Sequence, residues 1–404
     1  MADWIVENPD KVTSADIIVG IPSRNEADTI AFPTEQASIG LTTYFPGLKS
    51  VIVNCDNFST DGTKEAFFSA PCQVPRIYVS TPEGVAGKGN NFRNLFQLVH
   101  DLGAKAVVVV DADLKSITPK WIKNLGEPLL GEYGYVTPIY LRHKYDGTIT
   151  NNIAYPLSRC LYGRRVRQPI GGDFGFSGEL ASFYLQHESW TEAVAYFGID
   201  IWMTTLAMYF RKPITQAFLG RPKIHRPKDP ASSLGPMFRE VVGTLFNLQS
   251  LFVPFWKEVK HSRPTAIFGF GLGEIEMPPP VSVNTDALFA NLHDGYSGHK
   301  DLWAEALAPA TMGKLEEVMG ADCQHFEMPS QLWAHILFDF SVAYRDKITD
   351  TDTLMTALSP LYFGRTLSFV RATGGMGMQQ AEEYIEDQCL HFEDAKPYLL
   401  ERWG

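Results

Sequence analysis

The chain has few cysteines. Five occur in 404 residues, Cys55, Cys72, Cys160, Cys323 and Cys389, with no CxxC pair among them. That spacing suggests neither a disulfide framework nor a structural zinc site, and it fits a reducing, cytoplasmic setting. Positive charge is also short, since 35 Lys and Arg against 46 Asp and Glu leave a net charge of -11. Such a balance opposes nonspecific attraction to nucleic acid or anionic lipid, so no nucleic-acid partner is expected. No apolar run reaches the roughly 18 residues that a membrane-spanning helix needs. The opening MADWIVENPDKVTSADIIVG has no basic region leading into an apolar run, so it does not read as a signal peptide. Internal repeats and low-complexity segments are missing as well. Together these absences imply a soluble protein with no membrane span.

What is present can build a sizeable core, because 45% of the residues are apolar and 12% aromatic. The length exceeds the roughly 250 to 300 residues at which single cores stop growing, so two domains are expected. In the first half a short β-branched apolar run is followed by a polar loop and then a helix-like stretch. Ile17 to Ile21, Val51 to Val53, Arg76 to Val79 and Ala106 to Val110 are the four runs, and Lys64 to Ser69 reads as a helix. Runs without alternation are what strands covered on both faces look like, and their succession with helices indicates parallel βαβ units. In such sheets ligands bind beyond the carboxyl ends of the strands, where the polar loops fall. From about Pro230 the spacing turns helical, in Met237 to Trp256 and Ser330 to Tyr344. MPPPVSV (277–283) reads as a stiff connection and GGMGM (374–378) as a break between helices. The fold class is α/β with a mainly helical C-terminal domain, divided into 1–235 and 236–404.

Asp111-Ala112-Asp113 follows four apolar residues, which puts two carboxylates on one face at a strand exit. Carboxylate oxygens completed by phosphates suit a hard divalent ion, although a lone DxD is more often a solvated strand end. This one has company. Asn25-Glu26 follows the first strand. Ser59-Thr60-Asp61-Gly62-Thr63 follows the second, where short polar side chains and free amides could hold a nucleotide, although alone it is a good N-cap and turn. Gly84 to Asn90 places Lys88 in a Gly-flanked loop before a helix. A P-loop would need Ser or Thr at position 89, which is Gly, yet a lysine reaching a phosphate or nucleobase remains open.

In this order, PSRNEAD, DNFSTDGT, GKGN and VVVVDAD resemble the GT-A nucleotide-sugar glycosyltransferases, which have a Rossmann-like sheet. DADLKSITPKWI, YLRHKYDGTIT, RQPIGGDFGFS, YFGIDIW and PKIHRPKD narrow the resemblance to the retaining enzymes that glycosylate glycerate or 3-phosphoglycerate. These are the mannosylglycerate, glucosyl-3-phosphoglycerate and glucosylglycerate synthases, and the likeness spans roughly residues 16 to 240. It implies that Asp113 and His225 ligate Mg2+ or Mn2+, imidazole tilting the choice toward Mn2+, with Asp111 against the ribose or the metal shell. It implies donor contacts from Pro22, Ser23, Asn25, Glu26, Asp61, Lys88, Asp111 and Ala112 to a GDP- or UDP-hexose. For a glycerate-type acceptor it implies Arg142, Asp146, Thr150, Ile170, Gly171 and Gly172. It implies Asp113 and Asp200 as the catalytic pair, the latter orienting the attacking hydroxyl without acting as nucleophile.

The plainer readings stay beside these: PIGG as a tight turn, Arg142 and Asp146 as a helix surface ion pair, Asp200 as an N-cap, and His225 as an ordinary histidine. Arg164, Arg165 and Arg167 could take an acceptor phosphate, which favours 3-phosphoglycerate. The long helical tail favours free glycerate and is weighted slightly more. A sugar-phosphate nucleotidyltransferase would need a GxGTR-like loop after the first strand, and PSRNEAD lacks it. A noncatalytic sugar-nucleotide binder would need no metal residues, and a polyprenyl-phosphate transferase would need a spanning helix. A dimer is favoured by base rates.

Overall fold

Every residue of Ile17–Ser23 is buried, and so are all but the first residues of Ser50–Asp56 and Arg76–Ser80 and the whole of Ala106–Val109. Burial on both faces is the reason these runs show no alternation. The computed structural model describes residues 4–225, 235–269 and 276–404, and their strands are β1 (Ile5–Glu7), β2 (Ile17–Ser23), β3 (Ser50–Asp56), β4 (Arg76–Ser80), β5 (Ala106–Val109), β6 (Tyr135–Leu141), β7 (Arg164–Arg165), β8 (Phe174–Ser177), β9 (Ile214–Pro222), β10 (Arg263–Pro264) and β11 (Ala266–Phe268). Nine of them form one sheet in the order β1-β4-β3-β2-β5-β8-β6-β9-β11.

The expected parallel βαβ units hold for β4, β3, β2 and β5. Beyond them β8 lies antiparallel between β5 and β6, and β1 is antiparallel at the edge. The side chains of Ile17, Val19 and Ile21 pack with Ala37, Leu41, Trp121, Ile122 and Leu125 from the helices Ala31–Tyr44 and Pro119–Gly126. The other face meets the helix Lys88–Leu102 so closely that a Cβ at Gly20 would lie 2.5 Å from a Leu95 methyl.

The chain divides into two compact units, but not at a single boundary near residue 235. One comprises Met1–Arg142, Val166–Pro227 and Thr265–Pro279; the other comprises His143–Arg165, Lys228–Pro264 and Pro280–Gly404. The sheet unit reclaims residues after Pro264 because β11 pairs with β9. The second unit takes 143–165 because that segment is bonded into it. Arg159, 1% exposed, donates to Glu386 at 2.5 Å and Glu393 at 2.6 Å, Lys144 Nζ donates to the Thr373 and Met376 carbonyls, and the Trp333 indole donates to the Asn152 carbonyl.

Helices dominate this unit, as expected. Ser330–Asp346 and the break between Thr351–Thr373 and Met378–Asp394 match the sequence pattern. The helical spacing of Met237 to Trp256 falls on two helices, Gly235–Leu251 and Val253–Glu258, with Pro254 in the first turn of the second. Pro lacks the amide that a continuous helix would use there. The five cysteines are free, and among the described residues no helix is long and apolar enough to cross a membrane.

Candidate active site

Because β8 runs against its neighbours, its amino end lies at the same sheet edge as the carboxyl ends of β5 and β6. Asp173, just before β8, therefore meets Asp111, just after β5, and its Oδ1 accepts the Asp111 amide at 3.0 Å. Lys223, just after β9, reaches the same place. Its Nζ donates to Asp111 Oδ2 at 2.8 Å, to Asp173 Oδ2 at 2.8 Å and to the Gly171 carbonyl at 2.5 Å. The Tyr140 hydroxyl, from β6, donates to Asp173 and to the Gly171 carbonyl. On the other side Lys88 donates to Asp111 Oδ1 at 3.1 Å and pairs with Asp200 Oδ1 at 3.4 Å. Three carboxylates and two ammonium groups thus share one nearly dry corner, with Asp173 and Lys223 0% and 3% exposed at their side chains.

The electrostatics follow from that burial. Desolvation disfavours both ammonium groups, yet Asp111 and its acidic neighbours outweigh it and hold Lys88 and Lys223 above the ordinary lysine range. Burial raises the Asp173 carboxyl, with Lys223 opposing the rise, and it also pushes the Tyr140 phenol well up. The two lysines stay charged and lock the acidic cluster.

Asp200 lies in the first turn of the helix Ile199–Tyr209, with Gly198 rather than Asp200 as its N-cap. Its Oδ2 accepts the amides of Gly172 at 3.0 Å and Gly171 at 3.4 Å. These amides, expected to face an acceptor carboxylate, are therefore directed at a carboxylate of the chain itself. Gly172 has φ +84°, and a Cβ there would lie 2.0 Å from Asp111 Oδ2, so only glycine fits. Ile170 beside it is buried. Arg142, at the end of β6, lies over the Tyr140 ring and donates to Gln168.

The donor loops are laced to each other. Asn25 adopts φ +55°, a conformation Asn tolerates; its amide donates to Ser59 Oγ, and the Glu26 amide donates to Thr63 Oγ1. Pro22 and Ser23 end β2, and Ser23 Oγ donates to the fully buried Asp56. Lys88 is not in a flexible loop but is the first residue of its helix. Its glycine neighbours are packed tightly: a Cβ at Gly87 or Gly89 would lie 2.2 or 1.9 Å from the carbonyl oxygens of Ala195 and Val194.

Asp61 bridges the two loops, accepting the Ala27 amide at 3.0 Å and the Thr63 amide and hydroxyl at 3.1 and 2.6 Å. Slight desolvation raises its carboxyl, but the Thr63 and Ala27 hydrogen bonds win and hold it below the usual aspartate range. The sign follows: a depressed folded-state pKa adds stability above the unfolded value near 4, and that stability fades as the pH falls through the folded value. Asp61→Asn is expected to cost at most about 0.5 kcal/mol at pH 7 in urea titrations, because the carboxylate is exposed and screened, with the difference closing as the pH falls through the folded value. A pH-independent difference would contradict the assignment.

The two residues expected to hold a metal, Asp113 and His225, lie on segments tied to each other by hydrogen bonds. The Lys115 amide donates to the Ile224 carbonyl at 2.9 Å and the Ile224 amide to Ser116 Oγ at 2.9 Å, which ties the segment after Asp113 to the segment carrying His225. A carboxylate and an imidazole are donors that Mg2+ or Mn2+ accepts, so this pair fits such an ion. Among the described residues no group of three or more His, Cys, Asp or Glu is arranged around a metal position. The two oxygens of Asp111 accept hydrogen bonds from Lys88 and Lys223. Ala112 is buried between the aspartates. Arg226 and Lys228, expected to flank His225, lie outside the described residues. Asp146 and Thr150 belong to the second unit, where Asp146 sits in a turn closed on His143, and Thr150 opens a buried single turn of π-helix, Thr150–Ala154. The stretch 142–147 is not helical, so Arg142 and Asp146 do not share a helix surface as that plainer reading supposed.

Sequence reasoning gave no role to Asp173, Tyr140 or Asp56, and noted Lys223 only as a neighbour of His225. An acidic residue right after Gly-Gly and before a strand was the available signal for Asp173.

No family model and no curated protein matches the chain. Solved structures similar to it include complexes of glucosyl-3-phosphoglycerate synthase. They come from Mycobacterium tuberculosis. The complex with Mn2+, uridine diphosphate and glucosyl-3-phosphoglycerate is 24% identical with a TM-score of 0.46, covering 59% of this chain and 80% of that one. The complex with Mg2+ and uridine diphosphate is 25% identical with a TM-score of 0.45, at the same coverage. The complex with Mn2+, uridine diphosphate and phosphoglyceric acid is 27% identical with a TM-score of 0.44, covering 57% and 78%.

Proposed function

We propose that this chain is a metal-dependent hexosyltransferase that moves glucose or mannose from a GDP- or UDP-hexose to the 2-hydroxyl of D-glycerate, with retention, giving an α-glycosylglycerate. The observation that carries the reading is the meeting at one sheet edge of the Asp111, Asp173 and Asp200 carboxylates with Lys88 and Lys223, beside the tied segments of Asp113 and His225. Such a corner offers a diphosphate cationic groups and offers an attacking hydroxyl a carboxylate.

In this reading Lys88 holds the donor diphosphate, and the loops of Asn25, Glu26 and Asp61 hold the nucleoside. Mg2+ or Mn2+ on Asp113 and His225 supplies charge neutralisation for the leaving diphosphate. Asp200 orients the acceptor hydroxyl, and the Gly171 and Gly172 amides with Arg142 receive the acceptor carboxylate once Asp200 turns to that hydroxyl. The leaving diphosphate then helps remove the hydroxyl proton on the front face, and the protein contributes chiefly proximity and orientation. Asp146 and Thr150 are kept as acceptor contacts on the resemblance alone, as are a cytoplasmic location and a dimer.

The test is a panel of GDP- and UDP-glucose and mannose against D-glycerate and 3-phosphoglycerate, with and without divalent metal. One donor is expected to turn over, with kcat/KM falling about 1,000-fold in Asp113→Ala and in His225→Ala, as loss of several kcal/mol of charge stabilisation requires. Full activity in either variant removes the metal assignment. Preference for 3-phosphoglycerate would move the acceptor to its phosphorylated form. A nucleotidyltransferase would instead release diphosphate from a nucleoside triphosphate and a sugar phosphate.

A further inference from the structure

In the second unit the helices Gly235–Leu251, Thr285–Ala306 and Thr351–Thr373 leave a cleft of about 350 Å3 between them. Its floor lies where Gly295 meets Pro360, both buried. A Cβ at Gly295 would lie 2.2 Å from the proline ring, so any larger residue there would push the two helices apart. The walls are polar, being lined by Arg239, Asp294, His299, Thr356 and Ser359. Among the described residues none of these five side chains has a hydrogen bond or ion pair. Arg239 and Asp294, opposite in charge and lining the same space, do not pair even with each other. Pro360 adds a backbone acceptor. It lies inside Thr351–Thr373 and has no amide, so the Thr356 carbonyl lacks the donor that a continuous helix would supply four residues on.

One cation, one anion, two hydroxyls and a carbonyl thus border one concave space without internal partners. We infer that this cleft binds a small polyhydroxylated carboxylic acid. The Arg239 fork pairs with the carboxylate of such a ligand, and the Asp294 carboxylate accepts from its hydroxyl groups. Thr356 and Ser359 extend the same pattern, each hydroxyl being able to donate and to accept. Ligand sites span roughly 300 to 1,000 Å3, so a cleft at the small end has room for a single sugar ring and not for a nucleotide. Arg239 opposite Asp294 leaves no surplus positive charge for a phosphate dianion, and a guanidinium beside one carboxylate repels a divalent cation. A free sugar acid has the required chemistry, and so has the glycosylated hydroxy acid that the proposed reaction would make. Only the second source rests on the hexosyltransferase reading.

The cleft is tested by calorimetric titration of the full chain with D-glucuronate and, separately, with α-glucosylglycerate, at pH 7 and without divalent metal. One molecule per chain is expected, bound about 10-fold more weakly by Arg239→Gln and by Asp294→Asn, the effect of losing one charge-assisted hydrogen-bonding group. D-glucose, which lacks the carboxylate, should bind more weakly than D-glucuronate and be indifferent to Arg239→Gln. Asp113→Ala should leave every affinity unchanged, which separates this cleft from the proposed donor site and its metal. Both variants should melt with the parent chain, because neither side chain has an internal partner. Tighter binding of α-glucosylglycerate than of D-glucuronate identifies the reaction product as the source, and the reverse identifies a free sugar acid. If the hexosyltransferase reading fails, the D-glucuronate titration still decides the site. Absence of saturable binding of both acids overturns the inference. So does equal binding by the parent chain and the Arg239→Gln/Asp294→Asn double variant, or binding lost in Asp113→Ala instead.

Discussion

Lys223→Met is expected to unfold about 3 to 5 kcal/mol more easily than the parent chain in urea titrations, the usual cost of leaving buried charges without their partner. The ammonium of Lys223 pairs with both Asp173 and Asp111, the latter also bound by Lys88, and it also satisfies the Gly171 carbonyl. Its removal therefore strands one fully buried carboxylate and loosens a second. Adding Asp173→Asn should recover part of the stability, because a neutral amide tolerates burial better than a lone carboxylate. Turnover should not return, since Asp111 still lacks its anchor. A Lys223→Met chain as stable as the parent would mean that the three contacts do not exist in solution.

Gly172→Ala should cost about 1 to 3 kcal/mol of stability and lower kcat/KM about 100-fold, as displacements near 1 Å at a reacting site do. The added methyl would collide with Asp111 Oδ2 and must also adopt a φ of +84°. The collision is relieved by moving Asp111, which drags Lys88 and Lys223 from their present positions. Steady-state kinetics beside a thermal melt would separate the two effects, and unchanged kinetics would show that the position of Asp111 is not critical.

The strands from Ile17 to Val109 were readable because each is sealed on both faces and so lacks polar punctuation. Those of the other half of the sheet were not. YVTPIYL of β6 carries Pro138, FGFS of β8 is four residues with a glycine, and neither the reversal of β8 nor its insertion between β5 and β6 leaves a mark in local sequence. The site divides in the same way. Asp111 and Asp113 announce themselves at a strand exit, whereas the value of Asp173 depends on the unread reversal that carries the start of β8 to that exit. Lys223 was visible only as a basic neighbour of a histidine, because its three partners come from positions 50 to 112 residues away. The amides of Gly171 and Gly172 were foreseen as donors, but their acceptor in this state, Asp200, belongs to a later helix.

The interleaving of the two units constrains how this protein can be taken apart. Expressing 236–404 as a fragment would omit the helix Tyr155–Tyr162, leaving Glu386 and Glu393 without Arg159 and the Trp333 indole without the Asn152 carbonyl. The complementary piece would lose β11, the outermost strand beside β9. A single cut anywhere near the middle thus damages both halves, so engineered chimeras that exchange the helical part would need at least two junctions placed around 143–165 in addition to those after Pro227.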